Sequence, residues 1–155
     1  GAAPAMEQLR ALSVRQPWAH AIVHFGKDIE NRTRRFGHRG WTLIHASGGM
    51  AADEWERAED FLIDRGLPAN DLPDRKHVQL GGVVGVARIV DSVGPEHPRA
   101  GSKWWMGPYG LVIDEAHALP FTPCKGTVAP LFWLPPADVL EALAPALRQL
   151  GVPVA

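Results

Sequence analysis

Apolar and polar positions along the chain change period several times. Residues 10–14 alternate over a short apolar run and read as a strand. Gln16-Pro17-Trp18 then opens a helix, because proline suits a first turn whose N–H groups have no partner anyway. Trp18, Ile22 and Phe25 recur at helical spacing, and Gly26 marks the stop. Residues 27–33 alternate again, with Lys27, Ile29 and Asn31 on one side and Asp28, Glu30 and Arg32 on the other. Residues 41–46, rich in aromatic and branched side chains, form a firmer strand. Ser47 is placed to cap a second helix over 50–64, with Trp55, Ala58, Phe61 and Leu62 inward. A proline-bearing loop covers 66–77, and 82–93 is the longest strand signal. Residues 94–107 read as a long loop. Short strands follow at 109–113, 119–123 and 131–134, then an amphipathic helix over 136–149, broken or offset near Pro145.

Five or six strands with interspersed helices predict an α+β fold built on a mixed β-barrel with flanking helices. The sixteen glycines and fourteen prolines among 155 residues suit many short elements better than a helical bundle. The length fits one domain with a core of its own. No run of eighteen apolar residues predicts a membrane span, and the opening residues lack the order of a signal peptide. One cysteine, Cys124, forms no internal disulfide, so a cytoplasmic location is expected. Gly1–Ala5 ahead of Met6 read as a cloning remnant, and residues 1–8 as a flexible leader.

Net charge is −1, but the distribution is uneven. Between residues 10 and 45 there are seven basic residues and two acids, net +5. Between 53 and 74 there are two basic residues and eight acids, net −6. Such a dipolar chain either binds a polyanion on one face or carries two ordinary solvated faces.

Several segments together resemble the ASCH family (activating signal cointegrator homology) of the PUA-like superfamily. They are Leu12-Ser13-Val14-Arg15-Gln16-Pro17-Trp18-Ala19, then Gly26-Lys27-Asp28-Ile29-Glu30-Asn31-Arg32, then Arg39-Gly40 before the third strand. Gly82-Val83-Val84-Gly85-Val86 with Asp91, Gly107-Pro108-Tyr109-Gly110 and Pro123-Cys124-Lys125-Gly126 fit as well. The resemblance covers residues 9–135, with 136–155 as a helix and tail packed on the same domain. One departure is Phe25, which stands where the family usually has glycine. The resemblance implies a PUA-like β-barrel with a cleft under the first helix, holding RNA, single-stranded DNA or a nucleoside-like small molecule. No cofactor and no membrane partner are expected.

The candidate site centres on Lys27, Glu30 and Arg32. In an extended segment Lys27 faces away from the other two, whereas a turn at Gly26–Lys27 brings it towards Glu30. Lys27 offers phosphate a point charge and Arg32 a planar fork. The alternative is a Glu30–Arg32 pair that braces the barrel. Arg34, Arg35 and Arg39 form a basic loop suited to phosphate, or a solvated turn. Gln16 is placed to bond a base edge, and Trp18 either stacks on a base or belongs to the core. Two adjacent tryptophans resist joint burial in an extended segment, so Trp105, beside Lys103, Trp104 and Tyr109, is a stacking candidate. Lys125 sits at a turn, and His45 and Ser47 end the third strand as possible ligand contacts. Seven scattered histidines, only His20 and His24 at helical spacing, give no metal motif.

An enzyme is the competing expectation. One form is a ribonuclease in which Lys27, Tyr109 or His45 stabilises or moves charge at a phosphate. The other resembles the amidohydrolases of the family that act on N4-acetylcytidine. Lys27 matches their lysine, while Glu30 occupies their threonine position. A third expectation is a protein contact through the acidic helix 50–64.

Overall fold

The computed structural model describes residues 8–154. Of the expected leader, only Gln8 falls within that span; residues 1–7 lie outside it, and so does Ala155. The described residues form strands β1 (Arg10–Val14), β2 (Ile29–Arg32), β3 (Gly40–Ala46), β4 (Gly82–Val93), β5 (Tyr109–Pro123) and β6 (Phe132–Trp133). Helices α1 (Trp18–His24), α2 (Ala52–Asp64) and α3 (Ala137–Gln149) lie between or after them. No helix among the described residues is long and apolar enough to cross a membrane.

The fold is mixed α+β, with all six strands in one curled sheet ordered β2-β5-β4-β3-β1-β6. Only β1 and β3 pair in parallel, with Ser13 opposite His45. Strand alternation sends alternate side chains to opposite faces. Inside the curl, Leu12, Val14, Ile44, Ala87, Ile89 and Leu111 pack with Ala19 and Ile22 of α1. On the other face, Ala11, Leu43, Val83, Val86 and Trp133 receive Val139, Leu140, Leu143 and Leu147 of α3. Each fully buried leucine there contributes roughly 1.5–3 kcal/mol. A third cluster joins Leu62 of α2 to Ile29, Val93, Trp104 and Val112.

Arg32 holds the curl. It sits on edge strand β2, yet its Nη2 lies 3.4 Å from the Ser13 carbonyl of β1, near the opposite edge. Opposite ends of the sheet are therefore one arginine side chain apart.

Four expectations about elements need correction. Residues 109–113 and 119–123 belong to one strand, β5, which at 15 residues exceeds the 12 of β4. Irregularities in the β4–β5 register, between Val83 and Gly85 and around Ile89, shift the pairing, so the apolar alternation stops and restarts. Asp114, in the gap, is exposed and bonds Arg88 at 2.8 Å. Ser47 caps no helix: its N–H donates to the Val14 carbonyl, and α2 starts at Ala52, behind Ala51, with no side-chain cap. Asp53 and Glu54 in its first turn complement the helix dipole instead. Helix α3 runs through Pro145, which is exposed while Ala144 and Leu147 beside it are buried, so packing of the apolar face outweighs one missing backbone bond. Finally, residues 102–105 are not extended. A 3-10 turn at Pro98–Gly101 precedes them, and Trp104 is buried. Trp105 lies half-buried over Gly107 and Gly110, where a Cβ on Gly110 would come within 2.9 Å of the indole.

Candidate functional site

Lys27, Glu30 and Arg32 do converge. Gly26 adopts φ +68°, a left-handed conformation open to glycine, and turns the chain between α1 and β2. That turn carries the Lys27 side chain inward, so it shares a site with Glu30 rather than facing away. Lys27 Nζ lies 3.6 Å from Glu30 Oε1, and Arg32 Nη2 lies 3.0 Å from Glu30 Oε2. Lys27 Nζ also donates to the Ile29 carbonyl and sits 5.3 Å from the centre of the Trp18 ring and 5.7 Å from that of Trp104. The lysine side chain is 1% exposed and that of Glu30 10%. Burial holds the Lys27 amine below its usual range, opposed by the attraction of Glu30. Two cations thus share one carboxylate in a buried place. Arg32 Nε is also buried, with no hydrogen-bond acceptor. A buried donor without a partner costs free energy unless an acceptor arrives.

A second group forms on the far side of β1. His45, Ser47 and Lys125 border one pocket of about 650 Å³ beneath residues 124–128, and Ser13 borders it too. His45 is buried; its Nε2 lies 2.7 Å from the Cys124 carbonyl and its Nδ1 3.0 Å from Ser13 Oγ. A carbonyl only accepts, so the network assigns the ring proton to Nε2 and leaves Nδ1 to accept from Ser13. Trp133 Nε1 donates to the same hydroxyl at 3.1 Å. Burial keeps His45 below its ordinary pKa, against the carbonyl bond that favours protonation. Ser47 Oγ is buried and unpartnered, and Lys125 is exposed. Ser13 escaped the sequence reading as a site residue. The available signal was its place opposite His45, which depends on pairing β1 with β3 correctly.

The remaining residues divide. Gln16 is buried, and both ends of its amide are used: Nε2 donates to the Gln79 carbonyl and Oε1 accepts from the His20 N–H. It ties the start of α1 to the loop ahead of β4, with both the oxygen and the nitrogen of its amide engaged inside the fold. Trp18 is half-buried, edge-on to Phe61 at 5.4 Å, and borders a shallow pocket with Arg15 and Met106. The arginine loop is largely occupied by internal contacts. Arg35 pairs with Glu96 at 2.9 Å and Arg39 with Asp91 at 3.5 Å. Arg34 is exposed, lies 3.9 Å from the centre of the Phe36 ring, and has no carboxylate partner among the described residues. Lys103 is exposed, while Tyr109 is half-buried with Arg35 over its ring at 5.3 Å. Trp105, packed on the glycines, is less a stacking platform than a cover for the loop.

Two arrangements therefore stand side by side: a buried cationic cluster inside the curl and a Ser–His pair in an open pocket outside it. Ser13 touches both, through its carbonyl and its hydroxyl respectively. The chain matches no protein-family model, and a search of curated proteins finds no match either.

Proposed function

We propose that the protein is an ASCH-type, PUA-like module that holds RNA or single-stranded DNA, or one nucleoside-like unit of it, against Arg32. The observation that carries this reading is the buried cluster with two cations, one carboxylate and an Arg32 Nε that lacks an acceptor. A phosphate or a base carbonyl supplies both the missing acceptor and, for phosphate, the missing negative charge. The segments around Ser13–Ala19 and Gly26–Arg32 support the family reading, and the curled six-stranded sheet is compatible with it. Exposed Arg34, Lys103 and Lys125, which form no ion pair among the described residues, are the groups left to contact the backbone of a strand. Arg35 and Arg39 contribute less, because each must first leave a carboxylate.

The test is binding of a labelled single-stranded RNA by anisotropy across a salt series. Affinity is expected to fall steeply with salt, by about 0.7 in log–log slope for each phosphate contact. Arg34→Ala should reduce that slope by about one contact, and Arg32→Ala should weaken binding at every salt concentration. An affinity indifferent to salt and to both changes sinks the reading.

A second reading, hydrolysis at Lys27 of RNA or of an N4-acetylcytidine-like amide, draws support from the burial that lowers the lysine's pKa towards that of a usable base. Incubation of RNA and of N4-acetylcytidine with the protein and with Lys27→Ala separates the two. Turnover that disappears with the lysine favours the enzyme; intact substrates with measurable binding favour the module.

A further inference from the structure

Ser13 and His45 stand directly opposite each other on β1 and β3. The imidazole Nδ1, which carries no proton when Nε2 donates to Cys124, lies 3.0 Å from the serine hydroxyl. Trp133 occupies one lone pair of that oxygen and leaves another. The hydroxyl borders open volume, about 650 Å³, which a network serving only to brace three strands does not require. Residues 125–128 line the same pocket, and their N–H groups donate to no acceptor among the described residues. Gly126 lets that backbone approach: a Cβ there would lie 2.8 Å from both Ser13 Oγ and His45 Cε1. Lys125 stands exposed at the rim.

We propose that Ser13 is a nucleophile, with His45 as its general base, for acyl transfer from a short carboxylic ester whose leaving group is anionic, bound beneath residues 124–128. Ser13 Oγ bonds to the carbonyl carbon as its proton passes to His45 Nδ1. The carbonyl π pair moves onto oxygen, which faces the free N–H groups of the loop. Collapse breaks the bond to the alcohol oxygen, and His45 Nδ1 returns the proton to it. Water repeats the sequence on the acyl-serine and releases the carboxylic acid. The Cys124 carbonyl orients the ring and steadies the transient imidazolium. Lys125 selects the negative leaving group. The cluster around Arg32 plays no part, so this site stands whether or not the protein binds nucleic acid.

The experiment treats the full chain with a fluorophosphonate and, separately, with p-nitrophenyl acetate, followed by intact mass and peptide mapping. One adduct on Ser13 is expected, with one nitrophenolate released per chain in a burst. His45→Gln keeps an acceptor for Ser13 and a donor for Cys124, so it preserves the fold's contacts while removing the base. It should slow labelling by about 100-fold. Hydrolysis of 4-acetoxybenzoate should exceed that of phenyl acetate, and Lys125→Ala should erase the difference. No adduct on Ser13 in the unaltered protein, adducts on lysines alone, or labelling unchanged in His45→Gln each overturns the proposal. A preference for the anionic ester that survives Lys125→Ala overturns the role given to the lysine.

Discussion

Neutralising Glu30 should cost far more than removing Lys27, although the two are partners. Glu30 faces Lys27 Nζ at 3.6 Å and Arg32 Nη2 at 3.0 Å. At an effective dielectric of about 20, each contact supplies about 5 kcal/mol of attraction, set against several kcal/mol of desolvation per ion. Glu30→Gln deletes both attractions, strands the Arg32 guanidinium without its carboxylate, and removes the charge that favours the protonated Lys27 amine. The expected loss is about 3–5 kcal/mol, the usual cost of stranding a buried charge. Lys27→Met instead removes the surplus cation, keeps a stem of similar length beside Trp18 and Trp104, and leaves the Glu30–Arg32 pair intact. It sacrifices the bond to the Ile29 carbonyl and should fall within about 1 kcal/mol of the parent. Urea denaturation is the suitable assay, since a salt denaturant would screen the charges. With a slope of about 1–3 kcal/mol per molar, the glutamine variant should unfold at least about 0.7 M earlier than the methionine variant. In the double variant Lys27→Met, Glu30→Gln, part of the glutamine's cost should return. Equal midpoints for the two single variants would refute the charge argument and leave Lys27 as an ordinary member of a compensated pair.

Two further outcomes follow from the geometry. Burial lowers the His45 pKa below its ordinary 6.5, so the unfolded chain takes up a proton at a pH where the folded one does not. Its contribution to stability is complete above pH 6.5 and declines as pH falls from there towards the folded value, by at most about 1.4 kcal/mol per pH unit. His45→Gln should flatten the decline of thermal stability just below pH 6.5, where His20, also lowered by burial, contributes as well; an unchanged decline there contradicts it. Gly85→Ala should destabilise by about 1–3 kcal/mol or more, because its Cβ would sit 2.6 Å from the His117 carbonyl and 2.6 Å from Val23 of α1. Gly37→Ala, which meets nothing within 4 Å, is the control, and similar melting losses for both would contradict the packing.

Local pattern was enough to place β1, β3, α1 and α2, whose apolar residues cluster between clear breaks in the chain. It failed at β5, because shifts in its pairing with β4 erase the alternation that a sequence window reads. It failed at Trp104 and Trp105 because the preceding turn let one side chain enter the core and the other lie across glycines. The meeting of Lys27 with Glu30 was open as one of two geometries, and Gly26 decided it by taking a backbone angle that other residues rarely hold. Counting charges over residues 10–45 overstated the basic face. Arg39 and Arg35 find their carboxylates 52 and 61 positions away, beyond any local count. The Ser13–His45 contact spans 32 positions and exists only because a parallel pairing aligns the two strands.

Arg32 has one further consequence. Its guanidinium is the hasp between the first strand and an outer margin of the sheet, and the same group carries the nitrogen still seeking an acceptor. Whatever engages that nitrogen thereby grips the clasp of the curled wall. Filling the interior and fastening the wall become a single equilibrium, in which a tightly held guest also resists unrolling of the strand that bears the arginine.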